Sequence, residues 1–589
     1  MPNHTETAAR TFYDPSLRRN IESILLPEVH QPGQYIGGEL GSVMKNPSDV
    51  RFRLALAFPD TYSIGMSHFG FQLLYAIMNR LPDWACERVF TPYPDMENVL
   101  KSNSLPLYSL ETFVPLHKFD VLGFSLQYEM SYTNVLTMLD LGQIPLHRTD
   151  RTNEHPLIIA GGPCVSNPEP MSRFIDLFII GDGEEALPQV CEAWVNATGT
   201  RRERLLKLAQ QFPFVYAPEF YDVHHDETGR ALRPKPIEPG IPEIVCPAIV
   251  ADIDAYQPSL TPILPLIESV QDRVSVEIMR GCPGRCKFCQ SSPMKRPIRI
   301  RSVESIAQIA YQSCLNTGMG EVSLLSLSTS DYPHFEELMV RLRELLTPLK
   351  VSISVPSLRV NHLLSQTMKS LTTERSGGLT IAAEAASDEM RKRIGKPITN
   401  TNLMEGCRSA FENGFQRVKM YFMCGFPDET DADLDGITNL AKNVAFLGKE
   451  ITGRYPAVVA NVSNFIPKPH TPFERCGMAS REYFTQAHRR LKYYNKHKSF
   501  NLKYHELSIS LLEALLARGD RKIGELVETV WKNGARLDAW TEHFQRERWE
   551  LAVEELAINT ELLVHTEYPA NAELPWSHIS FGTIASQTR

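Results

Sequence analysis

The amino-acid sequence predicts an α/β protein with three parts: a doubly wound parallel-sheet domain, a second strand–helix series forming a partial or full β/α barrel, and a helical C-terminal region. Three observations carry this reading. The chain has 589 residues, more than a single hydrophobic core organises. Short continuous apolar runs alternate with helical stretches in two separate series, as in parallel sheets covered on both faces. A proline-dense tract, RPKPIEPGIPEIVCPAIV and then QPSLTPILPL, divides the two series.

Residues 1–49 read as an N-terminal extension. The opening, MPNHTETAARTFYDPSLRRN, lacks the charged-then-apolar order of a signal peptide. No run of about 18 apolar residues occurs, so no membrane span is expected and the cytoplasm is the expected compartment. Residues 50–232 form the first α/β domain, with the strand-like runs RLALAF (53–58), FDVLGFSLQ (119–127), PLIIAGG (156–162) and IDLFIIGDGEE (175–185). FGFQLLYAIMNRL is a helical stretch among them. Residues 233–270 form the proline-rich, extended linker. Residues 271–475 form the barrel, with strands expected at 274–281, 321–328, 351–357, 379–385, 417–427 and 458–467. Chemistry in such a barrel sits at the carboxyl ends of the strands. Residues 476–589 are mainly helical.

The formal net charge is −8, which argues against a whole-protein grip on nucleic acid, although a local basic patch remains compatible with it. One segment, HRRLKYYNKHKSFNLKYH (488–505), interleaves basic and aromatic residues as single-strand binding surfaces do. Its alternative is a solvated helix face leading into a strand. ARGDR (517–521) reads as a helix-end ion-pair cluster, and His470, in PKPHTPFER, as a structural histidine.

Of the 11 cysteines, eight are scattered and three are not. RGCPGRCKFCQ places Cys282, Cys286 and Cys289 at CxxxCxxC spacing directly after the first barrel strand. Iron–sulfur clusters are held by cysteine thiolates, usually four. A loop that supplies three leaves one iron open, which a catalytic centre needs. Zinc would ask for a fourth Cys or His close by, and none stands within about 20 residues.

The first domain has its own pattern. Strand 53–58 leads into Asp60-Thr-Tyr62-Ser-Ile-Gly65, and later strands end at Ser125, at Gly161-Gly162 and in IIGDGEE. In a doubly wound sheet the ligand lies beyond the carboxyl ends of the strands, and glycines there let backbone approach a large flat cofactor.

The cysteine motif resembles the radical S-adenosylmethionine (SAM) signature. The segments YIGGELGSVMK, LAFPDTYSIGMSH, FSLQYEMSYTNVL, GGPCVSNPEP and LPWSHI look like those of a group of bacterial cobalamin-binding radical SAM proteins, related to the elongator- and methylthiotransferase-like branch. The resemblance implies a [4Fe–4S] cluster on Cys282, Cys286 and Cys289, SAM as cosubstrate, cobalamin as cofactor, and a reducing partner of flavodoxin or ferredoxin type. It implies SAM contacts at Ser328, Glu384, Arg391, Gly425 and Pro427: a polar strand end toward the amino group, a ribose hydroxyl acceptor, a carboxylate partner, and the turn beside the adenine. It implies cobalamin contacts at Asp60, Tyr62, Gly65, Ser125, Gly161 and Gly162. The usual cobalamin loop is D-x-H-x-x-G. Tyr62 stands at its histidine position, so no histidine ligand to cobalt is expected, and His68 further on is a weak substitute.

The expected activity is reductive SAM cleavage to a 5′-deoxyadenosyl radical, with cobalamin carrying a methyl group to an unactivated carbon. The alternatives are a non-methylating radical reaction (oxidation, cyclisation or rearrangement) with cobalamin structural or absent, and a catalytically silent cobalamin- or SAM-sensing protein. The intact CxxxCxxC argues against the last. Direct transfer would require the strand ends near Asp60, Ser125 and Gly161 to face a barrel mouth carrying Cys282, Glu384 and Gly425 across a shared cavity.

Overall fold

The computed structural model describes residues 15–355, 378–494 and 499–582. The first sheet contains β1 (Phe52–Phe58), β2 (Trp84–Phe90), β3 (Val121–Ser125), β4 (Leu157–Gly161), β5 (Leu177–Ile179) and β6 (Val215–Tyr216). Its order is β2-β1-β3-β4-β5-β6, parallel except for the antiparallel edge strand β6. The order reverses between β1 and β3, so this is a doubly wound sheet, and its crevice opens beyond the carboxyl ends of those strands.

β2, WACERVF, is missing from the apolar runs because Glu87 and Arg88 interrupt it, yet every residue of it is buried. Both charges are neutralised internally. Glu87 takes Arg53 of β1 at 2.8 Å, and Arg88 lies between Glu39 and Glu111 at 2.8 and 2.6 Å. A charge is tolerated in a core only when it is paired and hydrogen-bonded. Glu39 belongs to the N-terminal extension, which is thereby tied into the domain.

β7 (Tyr221–Asp222) and β8 (Lys235–Pro236) form a small antiparallel ribbon. The proline-dense tract that follows has little regular structure, as expected, but it is bonded to both halves. Ala248 pairs with Gly181, the carbonyls of Gln257 and Pro258 accept from Arg80, and that of Tyr256 accepts from Arg301.

The second unit opens with β9 (Val274–Glu277), then the antiparallel pair β10 (Met279–Arg280) and β11 (Arg299–Ile300), which brackets the cysteine loop. β12 (Glu321–Leu325), β13 (Ser352–Ser354), β14 (Gly378–Glu384), β15 (Arg417–Cys424), β16 (Ala457–Asn464) and β17 (Asn501–Tyr504) follow. They make two parallel sheets, β13-β12-β9 and β14-β15-β16-β17. All six expected barrel strands are present; the last two residues of the one expected over 351–357 lie outside the described residues. β17 is a seventh strand, so the sheet continues past residue 475. Outward-facing residues such as Val276, Leu324, Ile381, Met420 and Ala460 are buried under the helices, which include Val303–Thr317, Asn400–Glu412 and Asp431–Thr452.

The helices Leu507–Arg518, Lys522–Lys532 and Arg546–Glu555 do not stand apart as a separate body. Trp531 donates to Thr137 at 3.0 Å, Thr133 donates to Asp538 at 2.8 Å, and Arg536 pairs with Glu97 at 2.9 Å. The end of the chain therefore packs back onto the first domain.

The first sheet meets the second unit through Asp182, just beyond β5. Its carboxylate contacts Arg299, reaches Arg280 at 3.2 Å and Lys295 at 3.5 Å, while Glu184 takes Arg280 at 2.5 Å. Burial pushes the Asp182 carboxyl up, but Lys295, Arg280 and Arg299 outweigh it and hold the group below its ordinary value. Because all three cations flank the cysteine loop, this pairing joins the first sheet to the base of that loop. Asp182→Asn strands buried cations and is expected to cost about 3–5 kcal/mol. Urea unfolding should show a lower midpoint and limited proteolysis should cut faster between residues 250 and 273. An unchanged midpoint and cleavage pattern would mean that other contacts join the halves.

Candidate active site

The cysteine loop leaves β10 through Gly281, whose φ is +95° and where a Cβ would stand 2.7 Å from the Lys295 carbonyl oxygen. Only glycine suits both constraints. Cys282, Cys286 and Cys289 are all half-buried. The Gly284 N–H donates to the Cys282 sulfur at 3.3 Å. Burial pushes the Cys289 thiol up, opposed by the backbone N–H groups of Ser292 and Ser291. N–H donors aimed at sulfur favour the thiolate, the form that ligates iron. Phe288 packs on Phe426 at 5.8 Å within an apolar group that includes Ala385, Ile394 and Phe465. The Lys287 N–H donates to the Ile394 carbonyl at 2.9 Å. The loop is thus pinned against the mouths of β14, β15 and β16. Among the described residues no three His, Cys, Asp or Glu side chains converge on a single metal ion. A four-iron cube binds its thiolates at separate corners and asks for no such convergence, so three thiols on one anchored loop fit it.

The residues expected to contact SAM fall into two groups. Glu384 ends β14 at a bulge, with φ +63°, and pairs with Lys396 at 2.9 Å. Its charge reaches the Cys289 thiol, which places it beside the loop. Gly425 has φ +90°, faces the Phe484 ring so closely that a Cβ would lie 2.5 Å from it, and donates its N–H to Glu429 at 2.7 Å. Burial pushes the Glu429 carboxyl up to about 7 against hydrogen bonds from Tyr483 and Gly425. Pro427 is half-buried on the same turn. Ser328 and Arg391 are corrected. Ser328 is 1% exposed and spends its hydroxyl on Asp331 at 2.6 Å. Arg391 is 0% exposed, and its donors are taken by the carbonyls of Ala385, Ala386 and Ile398 and by Asp388 and Asn400. With five hydrogen bonds made internally, no donor is left for a SAM carboxylate. It clasps the turn after β14 instead.

Beyond the carboxyl ends of the first sheet lies a cavity of about 500 Å³, within the size range of small-molecule sites. Ser125, Gly161 and Gly162 line it as expected, joined by Gly123, Gly181 and Gly183. A Cβ at Gly161 would meet only the Ile179 carbonyl oxygen, at 3.7 Å, so this floor is bare backbone. Asp60, Tyr62 and Gly65 do not line the cavity. Asp60 accepts from Trp540 of the C-terminal region at 2.9 Å. Tyr62 donates to Glu39 at 3.0 Å and accepts from Leu266 N–H at 3.2 Å. Gly65 leaves room for the Phe90 ring, which a Cβ would meet at 2.2 Å. All three are packing residues of the domain.

His68 and Gln127 line the cavity and were the weak or absent candidates in the sequence. His68 caps helix Phe69–Arg80, its Nδ1 accepting from the Phe71 N–H at 3.1 Å. Burial lowers it to about 4, so the ring is neutral near pH 7, and its proton sits on Nε2 because the Nδ1 lone pair is in use. Gln127 hydrogen-bonds His68 and donates to Ser125 at 2.8 Å. No local motif marks His68; its place at the first turn of a helix following the first strand was the available signal.

The opposite wall of the cavity belongs to the barrel: Glu277, Met279, Arg280, Gly281, Lys295 and Ser326 among others. The two sets of strand ends therefore share one cavity. Cys282 adjoins its wall residue Gly281, whereas Glu384 and Gly425 lie on other strand ends of the mouth and do not line it. Gln290, next to Cys289, donates to Ser166 of the first domain at 2.9 Å, and His470 bonds the Ser166 carbonyl at 2.8 Å, a structural contact.

Residues 70–218 match the family model of radical SAM proteins, N-terminal, and residues 276–441 match that of the radical SAM superfamily. The uncharacterized protein MJ0966 of Methanocaldococcus jannaschii is 27% identical over 483 residues, 81% of this chain and 90% of that one. The uncharacterized methyltransferase PH0819 of Pyrococcus horikoshii is 25% identical over 301 residues, 50% of this chain and 59% of that one. Among solved structures, the radical SAM methyltransferase TsrM of Kitasatospora setae, with cobalamin and [4Fe–4S] cluster bound, superposes with a TM-score of 0.50 at 12% identity, covering 86% of this chain and 99% of that one. The superfamily model spans the cysteine loop and strands β9 to β15, and the companion model spans β2 to β6 of the sheet that faces them: the chain carries both radical SAM domains, the N-terminal one and the one that holds the cysteine loop.

Proposed function

We propose that this enzyme cleaves SAM reductively at a [4Fe–4S] cluster held by Cys282, Cys286 and Cys289, and that cobalamin on the glycine floor of the first sheet serves methyl transfer to an unactivated carbon. The carrying observation is the single cavity walled by the carboxyl ends of both sheets, with the cysteine loop at its edge. TsrM, which has this fold, binds both cofactors. The chemistry supplied on binding is one-electron cleavage of the SAM sulfonium and carriage of a methyl group.

The chain's own residues bind and orient. Gly281 and Gly284 shape the loop, and Phe288 fixes it to the barrel mouth. Glu384, held in place by Lys396, offers carboxylate oxygens for the ribose hydroxyls of SAM. Gly161 and Gly162 present backbone to a planar ligand, and His68, with Nδ1 taken by the Phe71 N–H and its ring hydrogen-bonded to Gln127, offers no free lone pair to a metal. A flavodoxin- or ferredoxin-type protein supplies the electron. A second reading, a radical reaction without methyl transfer, is favoured by Asp60, Tyr62 and Gly65 being committed to packing. Anaerobically reconstituted protein given SAM, reductant and substrate extract decides between them. S-adenosylhomocysteine together with 5′-deoxyadenosine supports methyl transfer, and 5′-deoxyadenosine alone supports the second reading.

Cys282→Ala, Cys286→Ala or Cys289→Ala should each abolish the cluster and 5′-deoxyadenosine formation. Substituting buried Cys86, Cys191 or Cys407 should leave iron and sulfide content at the wild-type level. Full cluster content in the triple alanine variant would overturn the assignment. Cobalamin bound here should lack a histidine ligand. The Co(II) electron paramagnetic resonance signal should show no nitrogen splitting attributable to the protein, and His68→Ala should leave it unchanged. Splitting that disappears in His68→Ala would show that the capping bond is surrendered to cobalt.

A further inference from the structure

Closed eight-stranded β/α barrels fill their interior with bulky branched residues, so that the centre is a packed core. The strands of this second unit, two parallel sheets of three and four, carry few such residues on their inner face. On β9, β12, β13 and β14 the residues that alternate with the helix-covered ones are Ser275, Ser323, Ser352, Ser354 and Thr380. Among the described inner positions, branched apolar side chains enter only at Leu325 and Val459. On β15 the helix-facing residues Val418, Met420 and Phe422 are buried, while Arg417, Lys419 and Tyr421 between them are exposed, Tyr421 at 39%. β16 and β17 add Asn461 and exposed Lys503 to the same inner face.

The charges on this face do not balance. Each inner carboxylate has a cation: Glu277 takes Arg280, Glu321 takes Arg273, and Glu384 takes Lys396, at 2.8, 3.1 and 2.9 Å. Arg417, Lys419 and Lys503 have no carboxylate within ion-pair distance among the described residues. The register sets them around one aromatic ring. Tyr421 lies beside Asn461, and Asn461 beside Lys503, with Lys419 two residues below Tyr421 on its own strand. Neighbouring strands stand about 4.8 Å apart and alternate residues about 6.6 Å, so the whole group spans the dimensions of one nucleotide. Of the basic–aromatic segment 488–505, Arg490 is spent on Asp435 and Asp431, and Tyr504 stacks on His488 at 4.6 Å. Lys503 alone of these three turns into the barrel.

We infer that the inner face of β14–β17 binds a nucleotide unit of the substrate, with phosphate on Lys419 and Lys503, the base stacked on Tyr421 and the Asn461 amide at its edge. Lysines bind phosphate as point charges, and a tyrosine face stacks any base. The face runs up to Glu384 at the mouth of β14, so the ligand would lie directly beneath the reacting centre. The inference rests on the radical SAM reading for its chemistry, but its binding test does not.

The test uses reconstituted full-length protein whose iron and sulfide content is read first, so that failed reconstitution counts against the cluster and failed binding against this inference. Fluorescence anisotropy with a labelled single-stranded RNA 12-mer is measured from 50 to 200 mM salt, with AMP as competitor. Lys419→Gln/Lys503→Gln should weaken binding tenfold or more and flatten the plot of log K against log salt by about 0.7, the worth of the one phosphate the two lysines hold. Tyr421→Leu should weaken binding about tenfold with the slope unchanged, and Lys419→Arg/Lys503→Arg should retain it. Competition by AMP at similar affinity identifies a free nucleotide as the source; RNA binding without competition identifies a nucleic acid. No binding of either probe to wild type, or equal affinity and slope in the double glutamine variant, overturns the inference.

Discussion

A buried carboxylate that stays charged must be compensated by counter-charges or hydrogen-bond donors, and that constraint at Asp182 organises this molecule. The residue follows β5, where the first sheet ends, and the cations that neutralise it stand on both sides of the cysteine loop. Satisfying it brings the base of the loop against the carboxyl ends of the first sheet. The strap residue Ala248 pairs with Gly181 next to it and the Val250 carbonyl accepts from Arg299, so backbone and charge enforce the same approach. Once those ends meet, the cavity between them is a consequence and not a separate design.

The loop that carries the cobalamin resemblance illustrates what the approach demands elsewhere. Asp60 anchors Trp540, and Tyr62 joins Glu39 of the extension to Leu266 of the strap. Both residues bind distant chain segments to the first domain. The cavity is furnished instead by glycines at strand ends and by a histidine whose capping bond fixes its tautomer. In the barrel, apolar side chains fall mainly on the outer, helix-covered faces, while among the described residues the inside holds mostly small polar side chains and cations with no carboxylate at ion-pair distance. That distribution leaves space and charge where a packed interior would leave neither.

Several features were legible because they depend on neighbours in the chain. Strands β1, β3, β4 and β5 are apolar on both faces, so continuous runs reveal them. The barrel strands are apolar on the face under the helices and still read as strands. CxxxCxxC is visible because spacing along a loop is itself the ligand geometry. β2 was hidden because Glu87 and Arg88 look like surface residues, and their partners Arg53, Glu39 and Glu111 lie 23 or more residues away. Ser328 follows β12 and Arg391 sits in the short helix after β14, but residue type and position do not say whether a side chain is buried or a donor already taken.

Local pattern thus determined the α/β class, the two strand series, the proline-rich strap and the three thiols, since each follows from periodicity or spacing over a few residues. Tertiary structure alone decided which strand ends face one another, that the last helices return to the first domain, that Asp60, Tyr62 and Arg391 serve packing, and that Lys419 and Lys503 share an interior. Those outcomes turn on which distant charges and hydrogen-bonding groups must be satisfied together once water is excluded. Such pairings leave no periodic trace in the chain.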